Sequence, residues 1–345
     1  MIRVLLAEDS ATVREYLAWL LDGDPGLEVV GTARDGVEAV EQAERLKPDV
    51  LLMDVHMPRL NGYEATRQIM ERAPAPIVMI SASLERDEVA MTFAALEAGA
   101  LTVLGKPAGP DDPRHAEAAR RIRETVRLMS EVKVVRRWPR REPPPPRAPL
   151  ALPGRRIRLV AVGASTGGPP VVAQILKALP RDLGASVLLV QHIASGFSAG
   201  LAEWLDQVAP LPVKLAERGE PARPGSVYVA PEGWQMGITT QGRIHLSREP
   251  AEDGFCPSAS SLFESVAASY GRSGMGVLLT GMGRDGASGL RRLRQAGGLT
   301  IAQDEATSAV FGMPGEAIRL GAADHVLAPD QIADAIRALA GKRDQ

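Results

Sequence analysis

The chain has 345 residues, enough for two domains of ordinary size, each with its own core. Forty Lys and Arg against 42 Asp and Glu leave a formal net charge of −2, which excludes a chain-wide attraction to nucleic acid or to an anionic membrane. The single cysteine, Cys256, excludes an internal disulfide, and no apolar run approaches the ~18 residues of a membrane helix, so a cytoplasmic protein without membrane insertion is expected.

From the start of the chain, short β-branched runs alternate with longer amphipathic stretches, the pattern of βαβ units around a parallel sheet. Strands are predicted at residues 2–8, 27–33, 50–55, 76–82 and 101–107, with helices such as 11–23 between them and a closing helix near 112–130. The first run ends in Glu8-Asp9 and is too short for a secretory leader. In such sheets functional groups collect at the carboxyl ends of the strands. Glu8, Asp9, Asp54, Ser81 and Lys106 all fall there. Gathered carboxylates suit a hard divalent ion such as Mg²⁺. Beside it Asp54 can attack phosphorus to give an acyl phosphate, while Ser81 and Lys106 offer a hydroxyl and an ammonium to the phosphoryl oxygens.

Residues 133–156 are dense in Pro and Arg and carry no usable periodicity, which predicts an extended, solvated linker. A second alternation follows. Strands are predicted at 158–163, 186–192, 226–231, 276–281, 299–304 and 324–328, with helices between them and a polar, loop-rich stretch at 231–260. This is a second doubly wound, parallel α/β domain.

Its first predicted strand runs into "GASTG", residues 163–167, which fits the G-x-S-x-G elbow that presents a serine at a strand tip. A nucleophilic Ser165 needs a base, a group to orient that base, and donors for the oxyanion. His192 ends the next strong strand, about one strand–helix–strand unit away. The orienting acid is Asp285, in "LLTGMGRDGASGL", or Asp304, in "TIAQDEATS". The backbone N–H groups of Thr166 and Met282 are the candidate oxyanion donors. An ordinary α/β-hydrolase would instead require Ser165–Asp285–His325, because its acid precedes its histidine. Against that, His325 begins a strand and no HGGG-type segment is present. A third reading, a non-catalytic effector domain, sits poorly with an intact Ser–His–Asp set.

Residues 1–125 resemble a response-regulator receiver domain through "AEDS", "LLMDVHMPRLNGYEATRQIM", "ISAS" and "GALTVLGKP". The resemblance implies a flavodoxin-like fold and phosphotransfer from a histidine kinase to Asp54. It further implies Mg²⁺ at Glu8, Asp9, Asp54 and the carbonyl of His56, with Ser81 as switch hydroxyl. Val103 stands where an aromatic is often found. After a linker at 126–156, residues 157–341 resemble the catalytic domain of the chemotaxis protein-glutamate methylesterases, the CheB type. The stretches that carry this are "VGASTGGP", "LVQHI", "GFSAGLAEWLD", "VYVAP", "LLTGMGRDGASGL" and "AQDEATSAVFGMPGEAI".

This second resemblance implies Ser165 as nucleophile, His192 as base and then acid, and Asp285 as the orienting carboxylate. The implied reaction is hydrolysis of γ-glutamyl methyl esters on the cytoplasmic helices of methylated chemoreceptors, releasing methanol, together with deamidation of receptor glutamines. No cofactor is expected for the ester chemistry, and a monomer is expected. Two places depart from the family pattern. Gln235 replaces a usual His, and Cys256-Pro257-Ser258-Ala259-Ser260 replaces R-P-S-x-D.

Overall fold

Apolar runs that are buried on both faces form parallel strands when amphipathic helices can cover each side. The computed structural model describes residues 1–81, 86–107, 109, 112, 115–132, 134, 156–249, 251 and 254–342, which divide into two compact units, 1–146 and 147–345.

In the first unit the order is β1 (Ile2–Ala7), α1 (Ala11–Asp22), β2 (Leu27–Ala33), α2 (Gly36–Leu46), β3 (Val50–Asp54), α3 (Gly62–Arg72), β4 (Ile77–Ser81), α4 (Arg86–Ala98), β5 (Thr102–Gly105) and α5 (His115–Ser130). The five strands form one parallel sheet in the order β2-β1-β3-β4-β5, so the direction of winding reverses between β1 and β3. Side-chain caps start three of the helices: Ser10 on α1, Asp35 on α2 and Asn61 on α3. Residues 126–130, expected to open the linker, belong instead to α5. The apolar spacing of α5 continues to Met129, and Ala119, Ile122, Val126 and Met129 are buried, so the helix runs to Ser130. The Pro- and Arg-rich stretch 133–156 lies outside the described residues apart from positions 134 and 156.

The second unit contains β6 (Leu159–Ala164), α6 (Gly168–Lys177), β7 (Ser186–Gln191), α7 (Ser198–Val208), β8 (Val213–Leu215), β9 (Val227–Val229), β10 (Gln235–Ile238), β11 (Ile244–Ser247), α8 (Ala259–Tyr270), β12 (Gly274–Leu278), α9 (Ala287–Gln295), β13 (Leu299–Gln303), α10 (Met313–Arg319), β14 (His325–Leu327) and α11 (Pro329–Ala340). Seven strands form a parallel sheet in the order β14-β13-β12-β6-β7-β9-β8. Winding reverses between β6 and β12. The stretch 231–260, expected to be loop-rich, also holds the antiparallel β10–β11 hairpin, whose Met236, Ile238, Ile244 and Leu246 join the core beside Phe263 of α8. Among the described residues, no helix is long and apolar enough to cross a membrane.

Candidate active site

Because winding reverses between β6 and β12, the loops after β6, β7 and β12 open side by side at one carboxyl edge of the sheet. Ser165 follows β6, and its N–H donates to the Thr280 carbonyl at 3.0 Å. The loop after β12 comes so near that a Cβ on Gly281 would lie 2.6 Å from Ser165 Cβ. Gly167 turns the chain into α6 at φ +73°, where only glycine is unstrained.

His192 follows β7, one step past the registered pair Ala164–Gln191, and its N–H donates to the Ala164 carbonyl at 2.9 Å. Ser165 and His192 therefore stand level on neighbouring strands. Gln191 braces them: its Nε2 donates to the carbonyls of Ser165 at 2.7 Å and His192 at 2.9 Å.

The third member comes from the loop after β12. Asp285 Oδ2 lies 2.9 Å from His192 Nε2, and the carboxylate is 1% exposed. It also accepts hydrogen bonds from Ser258 Oγ and from the N–H groups of Ala259, Ser260 and Gly286, at 2.7–3.0 Å. Ala259 and Ser260 open α8, and Gly286 caps α9, so the charge sits at two positive helix ends. Burial pushes the Asp285 pKa up. The close approach and charge of His192 and the N–H groups of Ser260 and Ala259 outweigh it and hold the group well below the usual carboxylate range. With Nε2 turned to the acid, Nδ1 is the ring nitrogen left for a nucleophile. Among the described residues, the N–H groups of Thr166 and Met282 donate to no acceptor.

The two candidate acids differ in what they meet. Asp304 accepts from the Thr307 N–H at 3.0 Å and closes its own turn, whereas Asp285 meets His192. His325 starts the edge strand β14, at the opposite end from the strand tips, a position that does not favour the Ser165–Asp285–His325 alternative. The sequence reading missed Gln191, Ser258 and Phe255. The Phe255 ring stacks on His192 with centroids 4.6 Å apart and planes at 4°. The glutamine just before the histidine of "LVQH" was a signal for the first of these; nothing local marks the stack.

In the first unit, Glu8 follows β1, Asp54 ends β3, Ser81 ends β4 and Lys106 follows β5, all at one carboxyl edge. Lys106 Nζ lies 2.8 Å from both Glu8 Oε2 and Asp54 Oδ2. Burial pushes the Glu8 and Asp54 pKa values up; Lys106 opposes this, and neighbouring carboxylates add to it. Burial alone would lower Lys106, but its two acidic partners raise it above the ordinary value. Oxygens of Glu8, Asp9 and Asp54 all lie within 4.8 Å of one another, and buried Glu8 Oε2 has no aligned hydrogen bond. An oxygen-rich, negatively charged cluster of this kind suits a hard divalent cation. The exposed His56 follows β3.

Residues 160–336 match the family model for CheB methylesterase, and residues 4–116 match that for the response regulator receiver domain. The chain belongs to the CheB methylesterase family. It is 52% identical to protein-glutamate methylesterase/protein-glutamine glutaminase 4 of Geobacter metallireducens, over 99% of each chain. The Myxococcus xanthus relative with that same name is 50% identical, over 95% of this chain and 94% of its own. Among solved structures, the CheB methylesterase catalytic domain of Thermotoga maritima is 37% identical and aligns with a TM-score of 0.51, covering 52% of this chain and 97% of that one.

Proposed function

We propose that this chain is a phosphorylation-controlled serine hydrolase that demethylates glutamate γ-methyl esters on chemoreceptors and deamidates receptor glutamines. The observation that carries the reading is the meeting of His192 with the buried, ionised Asp285, level with Ser165 at the reversal of the sheet. Ser165 Oγ attacks the ester carbonyl while its proton passes to His192 Nδ1, and the oxyanion lies between the N–H groups of Thr166 and Met282. His192 returns the proton to the leaving methoxide, which departs as methanol. Water then attacks the acyl-enzyme with His192 as base and frees the glutamate. A glutamine follows the same route and releases ammonia. No step calls on a cofactor, and the site needs only one copy of the chain.

In the receiver, Asp54 is the phosphoacceptor for a histidine kinase. Glu8, Asp9, Asp54 and the His56 carbonyl would hold Mg²⁺, which supplies charge neutralisation at the phosphoryl oxygens. Lys106, 2.8 Å from Asp54 Oδ2, would exchange that carboxylate for a phosphoryl oxygen, and Ser81 would donate its hydroxyl. The unphosphorylated receiver restrains the esterase. The test is methanol release from a methylated receptor fragment by the full chain. Mg²⁺ with a small phosphodonor should raise the rate for wild type and not for Asp54→Ala. Ammonia release from a glutamine-bearing receptor checks the second activity, and a chain that releases neither product refutes the reading.

A further inference from the structure

We propose that Phe255 and Gln235 are positioning residues for the His192–Asp285 pair, an inference that rests on the hydrolase reading above. An imidazole at a strand tip keeps rotational freedom about its Cβ–Cγ bond, and one contact to a carboxylate does not remove it. The Phe255 ring lies flat on one face of His192, with centroids 4.6 Å apart and planes at 4°. That plate limits ring rotation and holds Nε2 toward Asp285, which leaves Nδ1 free to serve the nucleophile. Phe255 is 41% exposed, so the core does not require its ring there.

The plate is itself held. Gln235 is buried on β10, in the hairpin that packs into the core. Its Nε2 donates to the Phe255 carbonyl at 2.6 Å, and its Oε1 accepts from the Ser258 N–H at 2.8 Å. Reversing the amide would set N–H against N–H and oxygen against oxygen, so the two bonds define one orientation. The turn it grips touches both partners. Phe255 covers the base, while Ser258 Oγ and the Ala259 N–H bond the acid at 2.9 and 2.7 Å. One buried amide thus sets the base and the acid in a common frame.

The experiment uses the full chain and two readouts: steady-state turnover of a methylated receptor fragment, and the rate at which a fluorophosphonate labels Ser165. Labelling forms the Oγ–P bond and expels fluoride as the serine proton moves to His192, so it reports alignment without the receptor. Phe255→Leu keeps bulk and loses the flat face. It should lower kcat and labelling by about 10- to 100-fold with KM unchanged, as small misplacements of a catalytic group do. Phe255→Tyr should restore both to within about two-fold, since it keeps the plate. Gln235→Met should lower both in the same way, with thermal unfolding read alongside; Phe255→Leu carries the test if Gln235→Met does not fold. Labelling and kcat of Phe255→Leu within about two-fold of wild type would overturn the proposal, as would a change in KM alone, which marks a substrate contact. A wild-type chain that does not label beyond Ser165→Ala removes the hydrolase reading, and the proposal with it.

Discussion

A carboxylate that accepts four hydrogen bonds at the starts of two helices cannot become an amide without loss to the fold. Asp285→Asn should therefore lower stability by on the order of 2 kcal/mol, because an NH₂ group would face N–H donors. Ser165→Ala removes one oxygen from a half-buried strand tip and should leave the thermal midpoint unchanged. The sign with pH follows from the depressed Asp285 pKa. Its stabilisation is full above the ordinary carboxylate range and drains away as pH falls below about 4 toward the folded value. Urea midpoints for wild type and Asp285→Asn should differ clearly at pH 7 and converge in acid; a gap that widens in acid contradicts this account. In turnover, His192→Ala should cost about 10⁴-fold or more, while Asp285→Asn should keep about 10- to 100-fold more activity than His192→Ala.

Among the elements, the loop after β12 leaves no free space for an added atom at Gly281. A Cβ on Gly281 would lie 2.3 Å from Met313 Sδ and 2.6 Å from Ser165 Cβ. Gly281→Ala should push Ser165 off its alignment and lower kcat by about 10- to 100-fold. His325→Ala, at the start of edge strand β14, should stay within a few-fold of wild type in the same methanol assay. How much of this was legible in sequence depended on range. The buried β-branched runs marked the central strands, and the G-x-S-x-G elbow and the histidine ending "LVQH" marked two strand tips. The three-residue β8 and the β10–β11 hairpin were not legible, because short segments carry too few residues for a period to show. The choice between Asp285 and Asp304 was undecided by spacing alone, since both follow buried strands; the place of β12 beside β6 is what brings Asp285 to His192. The Phe255 stack and the Gln235 clamp join residues 63 and 20 positions apart, and no local pattern encodes either contact.

For the molecule as a whole, a receiver and a hydrolase with separate cores share one chain, and so a change in one can set the activity of the other. Tenfold control needs only about 1.4 kcal/mol of differential stability between restrained and released states. Residues 150–345 alone should outperform the unphosphorylated full chain, and a slower fragment would make the receiver an activator instead. The chemistry itself is decided by methanol release from a methylated chemoreceptor fragment, measured for the full chain with Mg²⁺ and a phosphodonor, beside Ser165→Ala and Cys256→Ala. The expected result is release by wild type and Cys256→Ala and none above background by Ser165→Ala. Release that survives in Ser165→Ala and disappears in Cys256→Ala would contradict the assignment of Ser165 as nucleophile.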